Sequence, residues 1–410
     1  MQYFNLPDEP GGSRPYQFAR AWTRAGHRVT VVTGAVNHKT MTVPEKYRGR
    51  AVTAEDVEGI RLLRVWSYSG ARGAVRRRMV NFVSYALSAA LFATLKGGGA
   101  DVVYASSTPL TVGIPGWISA AVRRAPFVFE LRDLWPQSAI VAGVLSARSR
   151  ATRLAGALAR FLYRRAARVV AVTRGIADGL VLEGVAREKI EFVPNGVDDW
   201  MVEAGEPAPP PRGAAFRIVY CGAHGRWNGL GQVLDAAALL RGEPIEFEFI
   251  GDGDEKQALA RRAADERLDN VRFLGALPKR EAFARLREAS ACIIVTWDHP
   301  FQRMVLANKI FDYLAAGRPV LVAAEGEMAQ LVAEAGCGLV VPPERPERLA
   351  GAARQLAALA PERLHEMGLS GRRHILRNYR RDELATRLLA SFGALRAGGP
   401  GRPAGDGESV

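Results

Sequence analysis

The stretch NKIFDYLAAGRPV, Asn308 to Val320, encodes a helix, a stop and the start of a buried strand. Ile310, Phe311, Leu314 and Ala315 recur at helical spacing. Gly317 suits a left-handed helix cap, and Pro319 prevents the helix from continuing. The apolar run after Arg318 then reads as a strand. Lys309 is the unusual residue, because a cation in the first turn opposes the helix macrodipole. With the free N–H groups of that turn it is placed to receive an anion such as a phosphate. Asp312, three residues on, is placed to take the hydroxyls of a ribose. On its own the stretch is equally well explained by a buried helix that carries a solvated lysine.

Strand-like and helical stretches alternate along the chain, the pattern of an α/β protein with a parallel sheet covered on both faces. Strands are expected at Val29–Thr33, Ile60–Trp66, Val102–Ala105, Phe127–Leu131, Val169–Thr173 and Ile190–Val193. After a Pro- and Ala-rich interval the pattern restarts at Phe216–Cys221, Ile245–Ile250, Val271–Leu274, Ala291–Val295, Val320–Ala323 and Gly338–Val341. This predicts two doubly wound units, 1–200 and 216–368, joined by a linker at 201–215. Closing helices at 369–396 and a disordered tail at 397–410 complete the expected organisation. Ligands are expected in the cleft between the units, at the carboxyl ends of the strands.

With 410 residues and 48% hydrophobic residues, the chain can build two cores of ordinary size. A net charge of +14 calls for an anionic partner: a phosphorylated substrate, an anionic bilayer or nucleic acid. Nucleic acid is the least favoured, since no aromatic platform interleaves with the charge. The 3 cysteines are scattered without metal or disulfide spacing, as in a reducing cytoplasm. The opening MQYFNLPDEPGG lacks the apolar core of a signal peptide. Met79–Leu95, behind Arg76-Arg77-Arg78, is too short and polar to read as a span. It reads as a helix packed on the sheet or one whose outer face dips into a membrane surface.

Five further loops fall where strands end and helices begin. Gly11-Gly12-Ser13-Arg14-Pro15 lets backbone approach a ligand, or makes a plain tight turn. ELRDLWP, Glu130 to Pro136, places Arg132 and Asp133 at a strand end, either for function or as an ion pair holding the loop. VPNGVD, Val193 to Asp198, reads mainly as a structural turn. YCGAHGRWNGLG, Tyr220 to Gly231, is a glycine loop able to cradle a diphosphate through Gly222, with His224 and Arg226 as cationic contacts. FIGDGD, Phe249 to Asp254, offers backbone at Gly251 for a base or ribose.

The succession GGSRP, ELRDLWP, VPNGVD, YCGAHG, FIGDGD and NKIFDYLAAGRPV resembles glycosyltransferase family 4, from about residue 2 to about residue 395. The second and last motifs resemble the subgroup acting on bacterial surface polysaccharides of O-antigen and colanic-acid type. The resemblance implies the GT-B arrangement, a retaining hexosyl transfer and a nucleotide-diphosphate sugar (UDP or GDP) as donor, with no metal or cofactor. It places the donor in the C-terminal domain and the acceptor in the N-terminal one. By position, Asn308 and Lys309 would meet the donor phosphates, Asp312 the ribose, and Gly222 the diphosphate. Asp133 and Arg132 would sit near the reacting sugar, and Gly12 beside the phosphate. The leaving phosphate would help take the acceptor proton in a front-face displacement.

This chain departs from the family pattern at three places. The acid that usually precedes Asp312 by seven intervening residues is Met304 here, which leaves its role to Gln302 or Arg303. Ala223 and Asn228 stand where many members carry Arg and Lys, so Arg226 and Lys309 would supply the charge. Members run an apolar strand into the QYF segment, which here begins at Gln2, so the first strand is expected to be missing.

A basic set, Arg76, Arg77, Arg78, Arg123, Arg124, Arg164 and Arg165, adds an expected peripheral position on the inner face of the cell membrane and a polyprenyl-linked acceptor. The alternatives keep the fold: transfer to a soluble acceptor, a sugar-nucleotide 2-epimerase, or a non-catalytic sugar-nucleotide binder.

Overall fold

The computed structural model describes residues 1–6, 13–37, 41–69, 75–209 and 215–397. Gly12 and the tail beyond residue 397 lie outside them.

The C-terminal domain contains β8 (Phe216–Cys221), β9 (Ile245–Ile250), β10 (Val271–Gly275), β11 (Ala291–Val295), β12 (Val320–Ala323) and β13 (Gly338–Val341). All pairings are parallel, in the order β10-β9-β8-β11-β12-β13. The strand order therefore reverses between β8 and β11, and a crevice opens there at the carboxyl ends. Helices α8 (Gly231–Leu239), α9 (Lys256–Asp265), α10 (Lys279–Glu288), α11 (Asn308–Ala315), α12 (Glu327–Ala335) and α13 (Pro346–Ala357) cover its faces. Every residue of β11 and β12 is buried, which is why both read as unbroken apolar runs. Helix α11 ends as its sequence requires, with Gly317 at φ 69.

The N-terminal domain contains α1 (Arg14–Arg24), β1 (Thr30–Gly34), β2 (Val52–Val57), β3 (Ile60–Val65), α2 (Val75–Lys96), β4 (Val103–Ser106) and α3 (Gly113–Arg123). It continues with β5 (Phe127–Leu131), α4 (Gln137–Val141), α5 (Arg150–Arg165), β6 (Arg168–Ala171), α6 (Arg174–Leu182), β7 (Ile190–Phe192) and the connecting α7 (Asp199–Glu203). Its strands form two sheets, β1-β3-β2 and β4-β5-β6-β7. Among the described residues no strand bridges β1 and β4. Residues 1–6 are not a strand, yet the Gln2 carbonyl accepts from the Gly34 N–H at 2.9 Å and from Thr33 Oγ1 at 3.1 Å.

Two expectations need correction. β2 pairs antiparallel with β3 through a turn in which Glu58 and Gly59 both have positive φ, so this sheet is not wholly parallel. The closing helices begin earlier than residue 369, as α14 (Pro361–Asn378) and α15 (Arg381–Ala397). Helix α15 crosses back to the N-terminal domain, where Leu384, Leu388 and Phe392 share a core with Phe18, Val128 and Val170.

Candidate functional site

Lys309 projects from the first turn of α11 into the β8–β11 crevice. Its Nζ donates to the Tyr220 hydroxyl and to Asn228 Oδ1, both at 2.7 Å, and lies 4.3 Å from the Tyr220 ring centroid. Tyr220 and Asn228 in turn donate to the Ala223 carbonyl at 2.7 and 2.9 Å. A Cβ on Gly222 would lie 3.1 Å from Lys309 Cε and 3.2 Å from Nζ, so glycine there lets the lysine pass. The amine thus occupies the place left by the neutral Asn228. No carboxylate pairs with it among the described residues, and burial lowers its pKa to about 7.

One turn on, Asp312 is half-buried, and no side chain hydrogen-bonds its carboxylate among the described residues. Burial raises its pKa against the opposing charges of Lys279 and Arg381. An ammonium without an anion and a carboxylate without a donor share one short helix. That arrangement suits a phosphate and a pair of hydroxyls.

The glycine loop behaves differently from its sequence reading at one residue. His224 is fully buried and points inward, its ring centroid about 6 Å from those of Tyr220, Phe249 and Phe273. Burial and the Lys256 charge lower its pKa. Its backbone N–H donates to the Asp252 carbonyl at 2.9 Å and anchors the loop, while both ring nitrogens are buried without a hydrogen-bond partner among the described residues, a setting that disfavours a cationic ring. Arg226 remains exposed at the crevice rim, its guanidinium 5.8 Å from the Trp297 ring. Gly251 has φ +138, and a side chain there would overlap the Gly222 carbonyl, so both turns meet backbone to backbone.

On the N-terminal side, the ELRDLWP loop divides its charges. Glu130 is internal: it pairs with Arg14 at 2.7 Å and accepts from Ser106 at 2.6 Å and Tyr104 at 2.5 Å. Arg132 and Asp133 face the cleft and are not ion-paired to each other. Asp133 accepts from the Thr108 hydroxyl at 2.7 Å, and the Arg132 N–H donates to Ser107 Oγ at 3.1 Å.

A cavity of about 270 Å³ lies between the domains, with Arg132, Asp133 and Asn195 on one side and Met304 and Asn308 on the other. Lys309, Asp312 and Gly222 are not in its lining; they adjoin it along α11 and the β8 loop. The sequence reading missed Asn195, whose Asn-Gly setting signals a turn. It is 6% exposed and its Oδ1 has no hydrogen-bond partner. Met304, at the position of the family's acid, turns its side chain onto α6.

Gly12 lies outside the described residues; its neighbour Ser13 belongs to the junction of the two domains, called the hinge below. Its hydroxyl donates to Asp198 at 2.9 Å; Asp198 also pairs with Lys279 at 2.5 Å and with Arg381. Burial alone would raise the Asp198 pKa. The two cations and the hydrogen bonds outweigh it and bring it down to about 2. Among the described residues, no group of three or more His, Cys, Asp or Glu is placed to hold a metal.

Helix α2 is 22 residues long, longer than the apolar core read from sequence, and is long and apolar enough to cross a membrane. Its outer face exposes Val80, Val83, Leu87, Leu91 and Leu95 in one stripe. Arg76, Arg77 and Arg78 are exposed at its start. Two members of the basic set also make contacts within the fold, Arg123 half-buried and Arg165 exposed. Arg123 donates to the Gly98 carbonyl at 2.6 Å and to carbonyls at the end of α2, and Arg165 lies 5.4 Å from the Phe161 ring.

Two α/β domains face each other across a crevice that holds Lys309 and Asp312, and the comparisons with known proteins show which family shares this architecture. Residues 11–196 match the model of the glycosyl transferase 4-like domain, and residues 215–358 match that of glycosyl transferases group 1. The chain belongs to glycosyltransferase family 4 and has the GT-B fold. It is 28% identical to the probable glycosyltransferase WbjE of Pseudomonas aeruginosa over 55% of this chain and 58% of that one. It thus spans less than two thirds of that relative. It is 26% identical to the putative colanic acid biosynthesis glycosyl transferase WcaI of Escherichia coli K12, over 83% of this chain and 87% of WcaI. The fold is shared with Anabaena Alr3699/HepE, solved in complex with UDP and glucose. The TM-score is 0.64 at 15% identity, over 95% of this chain and 98% of that one.

Proposed function

We propose that this glycosyltransferase is retaining, takes a UDP- or GDP-sugar as donor, and transfers a hexosyl group to a polyprenyl-linked glycan in cell-surface polysaccharide synthesis. The observation that carries the donor side is Lys309, a half-buried amine that no carboxylate among the described residues neutralises, at the strand-order reversal of the C-terminal sheet. It and the N–H groups opening α11 receive the diphosphate, with Gly222 beside them, and Asp312 takes the ribose. Arg226 at the rim adds charge. No metal enters this scheme: negative charge that develops on the leaving diphosphate is stabilised by Lys309 and the helix N-terminus. Arg132, Asp133 and Asn195 hold the sugar and acceptor hydroxyl in the cavity, and the leaving phosphate takes the acceptor proton on the same face.

The acceptor side rests on α2. An exposed apolar stripe beginning at three arginines suits an amphipathic helix lying in the surface of an anionic bilayer. It would keep the protein on the cytoplasmic face of the membrane, with the cleft near lipid-linked substrates. The name of WcaI, with its colanic acid biosynthesis, favours the polysaccharide setting, and the UDP in HepE favours uridine as the base.

Thermal-shift titration with UDP, GDP and their sugars tests the donor. A rise in Tm with one nucleoside diphosphate and its sugar supports the reading; no rise with any of them contradicts it. Flotation with phosphatidylglycerol vesicles tests the acceptor side, where a soluble acceptor predicts that the protein stays at the bottom of the gradient.

A further inference from the structure

Two C-terminal-domain residues outside the donor site close on one helix of the N-terminal domain. Glu327 opens α12, and its carboxylate accepts from the Arg174 N–H at 2.9 and 3.1 Å and from the Gly175 N–H at 3.4 Å. These are the first N–H groups of α6, which have no partner inside their own helix. The Thr173 hydroxyl serves only the next one, at Ile176, at 3.0 Å. The positive end of the α6 dipole adds to the attraction for a carboxylate.

Met304 lies along the same helix from its first turn to its second. A Cβ on Gly175 would lie 2.5 Å from the Met304 Cα, and one on Gly179 would lie 3.1 Å from its Cε. Four residues apart on α6, the two glycines leave a bare strip in which Met304 lies, and its side chain packs against the core of the N-terminal domain. The two gripping segments are tied to each other by an ion pair between Arg303 and Glu325 at 2.7 Å. They also meet where Gly326, lacking a Cβ, lets the Arg303 main chain approach. From Met304 the chain runs along the cavity through Val305, Leu306 and Ala307 to Asn308 and Lys309.

We infer that Glu327 and Met304 form an interdomain clasp on α6, positioning the Lys309 segment of one domain against Arg132 and Asp133 of the other. Both residues act through the segments they hold. Glu327 lies outside the cavity and Met304 forms part of its wall without a role in the chemistry, and the clasp depends on the scheme proposed above only in the substrate half of its test. Met304 at the acid position gains a physical role: a thioether fills an apolar groove where a carboxylate would be desolvated.

The test uses the full chain carrying spin labels at Glu188→Cys and Glu347→Cys, both exposed and on different domains. Pulsed dipolar spectroscopy without substrate is expected to give one narrow distance population. Glu327→Ala is expected to lengthen and broaden it. Glu327→Gln should restore most of it, because the amide oxygen still accepts. Gly175→Ala should also broaden it by expelling Met304, although alanine favours the isolated helix over glycine. Undiminished melting temperature with broadened distances in Gly175→Ala therefore separates loss of the clasp from misfolding, even if Glu327→Ala folds poorly. In turnover, a closed fraction reduced to one-tenth raises donor KM about tenfold, and kcat at saturating donor changes less. Unchanged distances in both Glu327→Ala and Gly175→Ala would overturn the clasp. Broadened distances without transfer from any sugar nucleotide would leave the clasp standing and defeat the functional proposal instead.

Discussion

Two ionisable groups stand near the cleft in opposite conditions. Asp198 at the hinge is 1% exposed and surrounded by Arg381, Lys279 and the Ser13 hydroxyl, so its charge is more than answered. Lys309 meets a phenol and an amide, and among the described residues no carboxylate answers its charge. The first arrangement binds residues from both domains and from the C-terminal helix into one structural knot. The second leaves a cation that a ligand can complete. A saturated charge marks a joint of the fold, and an unsaturated one marks a site.

The contrast breaks most visibly at the hinge. Asp198→Ala strands Arg381 and Lys279, and truncating one partner of a buried pair costs roughly 3–5 kcal/mol. With Lys279 more than a third exposed, about 3 kcal/mol is expected in denaturant unfolding. Lys309→Met should do the reverse: stability held or slightly raised, with kcat/KM lowered by about 10²–10³, as for removal of an oxyanion donor. If Lys309→Met unfolds the protein, or Asp198→Ala leaves its stability intact, the two clusters have been misassigned.

Acid titration sharpens the same contrast. The folded pKa of Asp198 lies near 2, below the ordinary 3.8, so its stabilisation is complete above about pH 4 and is lost as pH falls towards 2. The shift corresponds to about 2 kcal/mol. Asp198→Asn should remove that part of the acid limb in pH-dependent melts. A smaller effect is expected at Asp312. Its Asp312→Asn variant should lose about 1 kcal/mol of nucleoside-diphosphate affinity in calorimetry, and the loss should shrink for the 2′,3′-dideoxy ligand. Equal losses with both ligands would remove Asp312 from ribose recognition.

How much of this was legible in the sequence follows from burial. Strands β8, β9, β11, β12 and β13 stand at the residues expected; for β11 and β12 this is because two-sided burial in a parallel sheet writes an unbroken apolar run. β2 was missed because VTAEDV mixes charges into an exposed pair, and its antiparallel partner follows a turn the pattern did not reveal. Lys309 announced itself by opposing the dipole of its own helix. Asn195 gave no such signal: Asn-Gly signals a turn whether or not the side chain also lines a cavity. His224 misled for a related reason. A histidine in a glycine loop reads as a ligand contact, and only the packing of Tyr220, Phe249 and Phe273 turns it inward. The clasp was equally silent, since Glu327 and Gly175 are 152 residues apart.

The central claim is that Lys309 receives the donor diphosphate. Its free amine has a pKa near 7, and a bound diphosphate raises it, so binding takes up a proton above that pH. Calorimetric titration of UDP and GDP between pH 6 and 9 tests this directly. Affinity for the nucleotide that binds should weaken as pH rises past about 7, by up to about tenfold per pH unit, and Lys309→Met should bind weakly with no such slope. Equal affinity across that range in the parent protein, or undiminished binding by Lys309→Met, would contradict the account.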